Sequence, residues 1–193
     1  MFGKAFGFAR RFVRNEDGAF IIEFAITFPV LILLSFGLLE FSLVVFDYQR
    51  AAEATRRGVR VAIIQAPIPN TAALLPPEPG GAPGSYIVCT APGGVVECTG
   101  GSPSANADAL FASMLAEMKE IFPSLTSENV VITFEGTNVG EEGEVGGVFP
   151  LVTLQLVDVA HEMIVGNLIG VARIPFPDFK ATVLGNGKWV NTV

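Results

Sequence analysis

From residue 19 to residue 46 the chain reads AFIIEFAITFPVLILLSFGLLEFSLVVF, apolar on every face a helix has. Sixteen uncharged residues separate Glu23 from Glu40, and residues 24–46 carry a single charge, Glu40. At about 1.5 Å per residue that stretch spans roughly 35 Å, enough to cross a hydrocarbon core of about 30 Å. Sixteen of its residues are Leu, Ile, Val or Phe, each favouring insertion by roughly 0.3–0.6 kcal/mol, which outweighs one carboxyl at about 3 kcal/mol. The pattern predicts a membrane-spanning helix. Beyond Phe46 the sequence DYQRAAEATRRGVRVAIIQ is rich in Ala, Glu and Arg, with Glu53 placed to meet Arg56 or Arg57. Nothing stops the helix before Pro67 and Pro69. One helix over residues 19–65, roughly 70 Å long, is therefore expected, half in lipid and half projecting. Pro29 is expected to kink its first half, because it removes a backbone bond and crowds the preceding turn.

The periodicity then changes. Residues 67–103 contain eight Pro and seven Gly, which predicts a flexible linker or long loop without regular elements. NADALFASMLAEMKEIF sets Leu110, Met114, Leu115, Met118 and Ile121 on one helical face, capped near Ser104 or Asn106 and stopped at Pro123. Residues 129–135 alternate, with Val130, Ile132 and Phe134 on one side, and residues 151–159 form a second strand pattern. These two are expected to pair as an antiparallel hairpin across the Gly-rich 137–147 loop. A short helix or turn around 161–169 and a last strand in FKATVLGNGKWV follow, with a tight turn at Asn186-Gly187. The expected class is α+β: a long N-terminal transmembrane helix continuing into a small head of one or two helices and an antiparallel sheet.

Charge sharpens the division. The chain carries −7 overall, yet residues 1–18 hold Lys4, Arg10, Arg11 and Arg14 against Glu16 and Asp17, a local +2 that leaves the rest strongly acidic. An acidic chain is a poor nucleic-acid binder, since phosphate contacts need a basic face. One His and two Cys exclude a His/Cys zinc centre. His161-Glu162 begins an H-E-x-x-H pattern, but Val165 stands where its second His belongs. Glu141, Glu142 and Glu144 match no calcium loop. No G-x-S-x-G or P-loop is present, so no catalytic residue, metal or cofactor is assigned and the chain reads as no enzyme. Arg56, Arg57 and Arg60 form a basic patch facing either headgroups or an acidic neighbour.

Four basic residues precede the span and four follow it, Arg50, Arg56, Arg57 and Arg60, so the positive-inside rule is tied. Cys89 and Cys98 are either two free thiols or a disulfide. The disulfide, expected here, needs an oxidising compartment and puts the C-terminal part outside the cytoplasm. The apolar run is too long for a secretory signal and no A-x-A follows it, so cleavage behind it is not expected. Glu40, near the outer interface, is expected to reach water, a partner role being the lesser reading. Small residues Ala25, Ser35 and Gly37 would let neighbouring helices approach.

Ahead of the apolar run stands Gly18, after a basic leader and before Ala19-Phe20-Ile21-Ile22-Glu23-Phe24. This G-x-x-x-x-E-F junction resembles the processing site of type IV prepilins. Together with EFAITFPVLILLSFGLLEF and RAAEATRRGVRVA, it resembles the TadE-like family of the tight-adherence (Flp, type IVb) pilus system, over roughly residues 14–65. The resemblance implies a bacterial inner-membrane protein, cut by a prepilin peptidase between Gly18 and Ala19. Glu23, as the fifth mature residue, would pair with the new α-amine and set subunit register; the plainer reading is a Glu that snorkels to the headgroups or favours the helix N-terminus. It also implies partners: other pilin and minor-pilin subunits, an inner-membrane assembly platform and the lipid bilayer.

The expected organisation is a leader at 1–18, a transmembrane and projecting helix at 19–65, a Pro/Gly-rich loop or linker at 66–104 and an extracytoplasmic α+β head at 105–193. The N-terminus would be cytoplasmic and the head periplasmic. The function expected is that of a minor pilin or pseudopilin. The alternative is an uncleaved single-pass protein whose periplasmic domain binds a ligand or supports an envelope complex.

Overall fold

A computed structural model of the chain describes residues 17–70, 74, 85–137 and 149–185. The first element is one 48-residue helix, α1 (Asp17–Ile64), continuous through Pro29. Its length follows from the sequence: uninterrupted apolar residues, then Ala, Glu and Arg, with a chain break imposed only by Pro67. The chain falls into two compact units, residues 1–43 with 163–173, and residues 44–162 with 174–193.

In the first unit the large apolar side chains of α1 point outward from Phe20 through Phe41, as a lipid-facing surface requires. Two hydroxyls on this stretch are satisfied inside the helix: Ser35 Oγ donates to the Leu31 carbonyl at 2.8 Å and Ser42 Oγ to that of Leu38 at 2.9 Å. Such i−4 bonds let a serine sit in lipid without an orphan donor. The unit's other segment, 163–173, is a tight loop. Its ends meet through Met163 N–H to the Ala172 carbonyl, 2.9 Å. Its tip is a 3₁₀ turn, Gly166–Ile169, which stops where Gly170 takes φ +87°, a backbone state that favours glycine.

The second unit is a five-stranded antiparallel sheet covered on one face by helix. Its strands are β1 (Tyr86–Thr90), β2 (Glu97–Thr99), β3 (Val130–Glu135), β4 (Leu151–Leu156) and β7 (Phe179–Leu184), in the order β2-β1-β3-β4-β7. Alternation sends Ile87, Cys89, Ile132, Phe134, Val152 and Leu154 to one fully buried face. Thr153 and Thr182 pair on the other face, where their hydroxyls are 2.9 Å apart. Helix α2 (Ala107–Ile121) contributes Phe111, Met114, Leu115 and Met118 to the core. Leu110 and Ile121, expected on the same face, are only partly buried, and Phe111 takes the central place. Two further short strands, β5 (Ala160–Glu162) and β6 (Arg173–Pro175), make a two-stranded sheet.

The second half of α1 belongs to this core. Ala51, Ala54, Thr55, Val59 and Ala62 are buried on one stripe, and at Gly58 an added Cβ would lie 2.5 Å from Met118 Sδ and 2.8 Å from a Leu154 methyl. Small residues at this helical spacing let the α1 backbone press onto the sheet and α2. The α+β plan expected from the sequence, a long apolar helix leading into a helix-on-sheet layer in the manner of pilins, is the one the chain adopts.

One expectation about the elements changes. The 66–104 stretch is not devoid of regular structure, because β1 and β2 lie inside it and β1 pairs with β3 within the main sheet. The Pro and Gly residues cluster around these strands and hardly enter them: YIVCT is β-branched and apolar, and it alternates. Residues 161–169, expected as a short helix or turn, hold the end of β5 and the 3₁₀ turn. Gly166, which an added Cβ would drive 2.6 Å from the Val171 carbonyl, and Gly170 favour a loop closed on itself. The expected 129–135 and 151–159 strands form as β3 and β4 and pair in register from Val130 with Leu156 to Glu135 with Leu151. The leader residues 1–16, the Glu141, Glu142 and Glu144 loop and Asn186-Gly187 lie outside the described residues.

Candidate functional site on the apolar helix

Gly18 and Ala19 sit in the first turn of α1, exposed. A Cβ on Gly18 would meet nothing within 4 Å. Glu23 follows four residues after Ala19, which puts its side chain one turn along the same face. Glu23 is exposed. The Ala19 backbone nitrogen is therefore about one helical turn from the Glu23 side chain. Gly37, like Gly18, has nothing within 4 Å of an added Cβ, so within this chain α1 is open at that position.

The strongest polar geometry on the apolar half is at Glu40, and it corrects the expectation that this side chain reaches water. Glu40 is 5% exposed. Its Oε1 accepts the backbone N–H of Ile164 and, at 2.9 Å, that of Val165; its Oε2 accepts the N–H of Gly166 at 2.9 Å. Three consecutive amides point at one carboxylate because the turn beginning at Val165 leaves its first N–H groups without carbonyl partners, the same vacancy that makes helix N-termini anion-binding. Charge-assisted bonds of this kind are the strong class of hydrogen bond. The signal was present in the sequence as MIVGNLIGVA at 163–172, a ten-residue uncharged stretch. Its tie to a residue 124 positions away has no trace in local spacing.

Polar residues of the projecting half are engaged within the second unit. Asp47 Oδ2 lies 2.7 Å from His161 Nδ1, which ties the histidine to α1. Arg50 donates from Nε to the Ile121 carbonyl at 2.7 Å, closing the C-terminal end of α2, and lies over the Phe46 ring at 5.2 Å. Arg57 meets Glu117 at 2.5 Å rather than Glu53, which pairs with Arg56 instead at 3.7 Å. The hydrogen bond and charge of Glu117 hold the Arg57 guanidinium above its ordinary value. Two of the three arginines read as an outward basic patch are thus already paired inside the chain. Tyr48 packs against Phe176 and Phe179 with ring centroids 5.9 and 4.9 Å apart.

Cys89 and Cys98 are disulfide-bonded across directly opposed positions of β1 and β2, with Cα atoms 4.1 Å apart. Among the described residues, no group of three or more His, Cys, Asp or Glu gathers around a common point.

The family model described as TadE-like protein matches residues 18–60. The matched segment begins at Gly18, contains Glu23, Pro29 and Glu40, and ends on the small-residue stripe that packs under the sheet. No curated protein and no solved structure matches the chain.

Proposed function

We propose that this chain, a TadE-like protein by the match over residues 18–60, is a minor pilin or pseudopilin that takes part in assembling a Flp-type (type IVb) pilus. A single apolar helix anchors it in the membrane. In this reading a prepilin peptidase cuts between Gly18 and Ala19, and the new amine of Ala19 meets Glu23 of the same or an adjacent subunit, offsetting the roughly 2.5–3.5 kcal/mol that a carboxyl costs in the span. The head lies on the periplasmic side of the bacterial inner membrane, supported by the Cys89–Cys98 bridge, a bond that persists in oxidising compartments. Other pilin subunits and the inner-membrane assembly platform would engage α1 at small residues such as Ala25, Ser35 and Gly37. Its work is helix packing, with no cofactor and no reaction on a substrate.

The observation that carries this reading is the junction at Gly18, where a basic leader meets an apolar helix with an acid five residues on. N-terminal sequencing and intact mass, with and without a co-expressed prepilin peptidase, test it. The expected product starts at Ala19 only when the peptidase is present, and Gly18→Ala keeps the leader in both cases. A second reading, an uncleaved bitopic protein with a periplasmic binding domain, draws on α1 running unbroken through Gly18 and Ala19. A product starting at Met1 under both conditions selects it.

A further inference from the structure

The 163–172 loop has the composition of a core and the exposure of a surface. Ile164 and Leu168 are 80% and 79% exposed and Val171 is 45% exposed, and no charge interrupts the stretch between Glu162 and Arg173. Its backbone is unusually closed for a surface loop. The N–H of Met163 reaches the Ala172 carbonyl, that of Leu168 the Val165 carbonyl at 3.0 Å, that of Gly170 the Asn167 carbonyl at 3.3 Å and that of Val171 the Gly166 carbonyl at 2.8 Å. Those of Ile164, Val165 and Gly166 go to Glu40. A backbone with seven of its ten N–H groups paired, whose side chains are apolar at every position but Asn167, is the kind that hydrocarbon accepts, because lipid offers unpaired N–H groups no partner.

Glu40 fixes the depth. It lies on the apolar half of α1, seven residues before Asp47, so about 10 Å of helix separates it from the start of the charged half. A loop clamped to Glu40 is at that same level, and elements lying in the interface bury their apolar side about 5–10 Å deep. The apolar half of α1 and the loop belong to one compact unit, joined by the three amide bonds to Glu40.

We infer that the 163–172 loop is a second membrane anchor, a wedge inserted in one leaflet beside α1, with the Glu40 carboxylate as its clamp. The same clamp explains how an acid survives in the span: three amide dipoles take the place of water. The inference rests on α1 being the membrane span and is independent of any role in a pilus.

The test uses the full chain in phosphatidylethanolamine/phosphatidylglycerol vesicles, with an environment-sensitive nitrobenzoxadiazole label on Leu168→Cys. The two native cysteines are bridged, so the label goes to the new thiol. Lipids brominated along their acyl chains are the quencher. Leu33→Cys in the span and Lys119→Cys on the exposed side of α2 are the references. The expected result is quenching of the Leu168 label by at least about twofold, as for an interfacial element, with Lys119 unaffected. A Leu168 label that emits as Lys119 does, while Leu33 is quenched, overturns the wedge and leaves the span intact. So does a blue-shifted label that lipid bromine fails to quench, since a protein neighbour then covers the loop. An unquenched Leu33 label removes the span and the wedge with it. Adding Glu40→Ala should abolish quenching at Leu168 and leave it at Leu33; full quenching at both overturns the clamp.

Discussion

Glu40 shows how far one side chain's role depends on what folds onto it. A carboxylate inside an apolar helix is costly until donors reach it, and here three backbone amides do. Truncating it strands those donors, at about 1–3 kcal/mol for a buried unpaired polar group. Glu40→Ala should therefore speed amide exchange at residues 164–166 by roughly 5–150-fold. Glu40→Gln, which keeps one acceptor oxygen, should fall between the two. Hydrogen exchange followed by mass spectrometry of the 160–175 region reads both, and unchanged protection in the Ala variant would show that the clamp does not hold the loop. Glu23 differs in kind. It is exposed on α1, and the role proposed for it needs an amine that only proteolysis makes. Glu23→Ala should still insert and be trimmed but fail to enter pili, as scored by shear fractionation; normal incorporation would make the pairing dispensable.

Helices and strands constrain one another through size as much as through polarity. The buried stripe of α1 is mostly Ala, Thr and Gly, with Val59, because the backbone must come within reach of Met118 and Leu154. Gly58→Leu inserts four carbons where the first alone would lie only 2.5–2.8 Å from Met118 and Leu154, and overpacking of that kind costs about 1–3 kcal/mol. Thermal unfolding of the detergent-solubilised chain should shift down accordingly, and an unshifted midpoint would mean that the helix stands off the sheet. At the sheet edge, β2 is three residues long and held to β1 by the Cys89–Cys98 bond. Closing a loop of about ten residues removes on the order of 2–3 kcal/mol of unfolded-chain entropy, so reduction should lower stability by that amount. The same pair should resist alkylation in intact periplasmic fractions until reduced. Immediate labelling of both thiols would contradict the bridge and the compartment inferred from it.

For the molecule as a whole, much was readable from local pattern. The length and lipid character of α1, the amphipathic α2, the β3–β4 pairing and the α+β class follow from periodicity and breakers, which act over a few residues. The TadE-like resemblance lay in the junction at Gly18 and the apolar run, and it was likewise local. What required the folded chain were contacts between distant segments. β1 and β2 form inside a Pro/Gly-rich stretch because β3 offers a partner edge and a disulfide closes the hairpin. His161 finds Asp47, 114 residues away, and Arg57 finds Glu117 and not Glu53. Glu40 is buried by amides more than a hundred residues away. Spacing along a chain governs which side chains share a face, whereas the partner of a charge is decided by which donors fold within 3 Å of it, and that distance exists only after the chain has closed on itself.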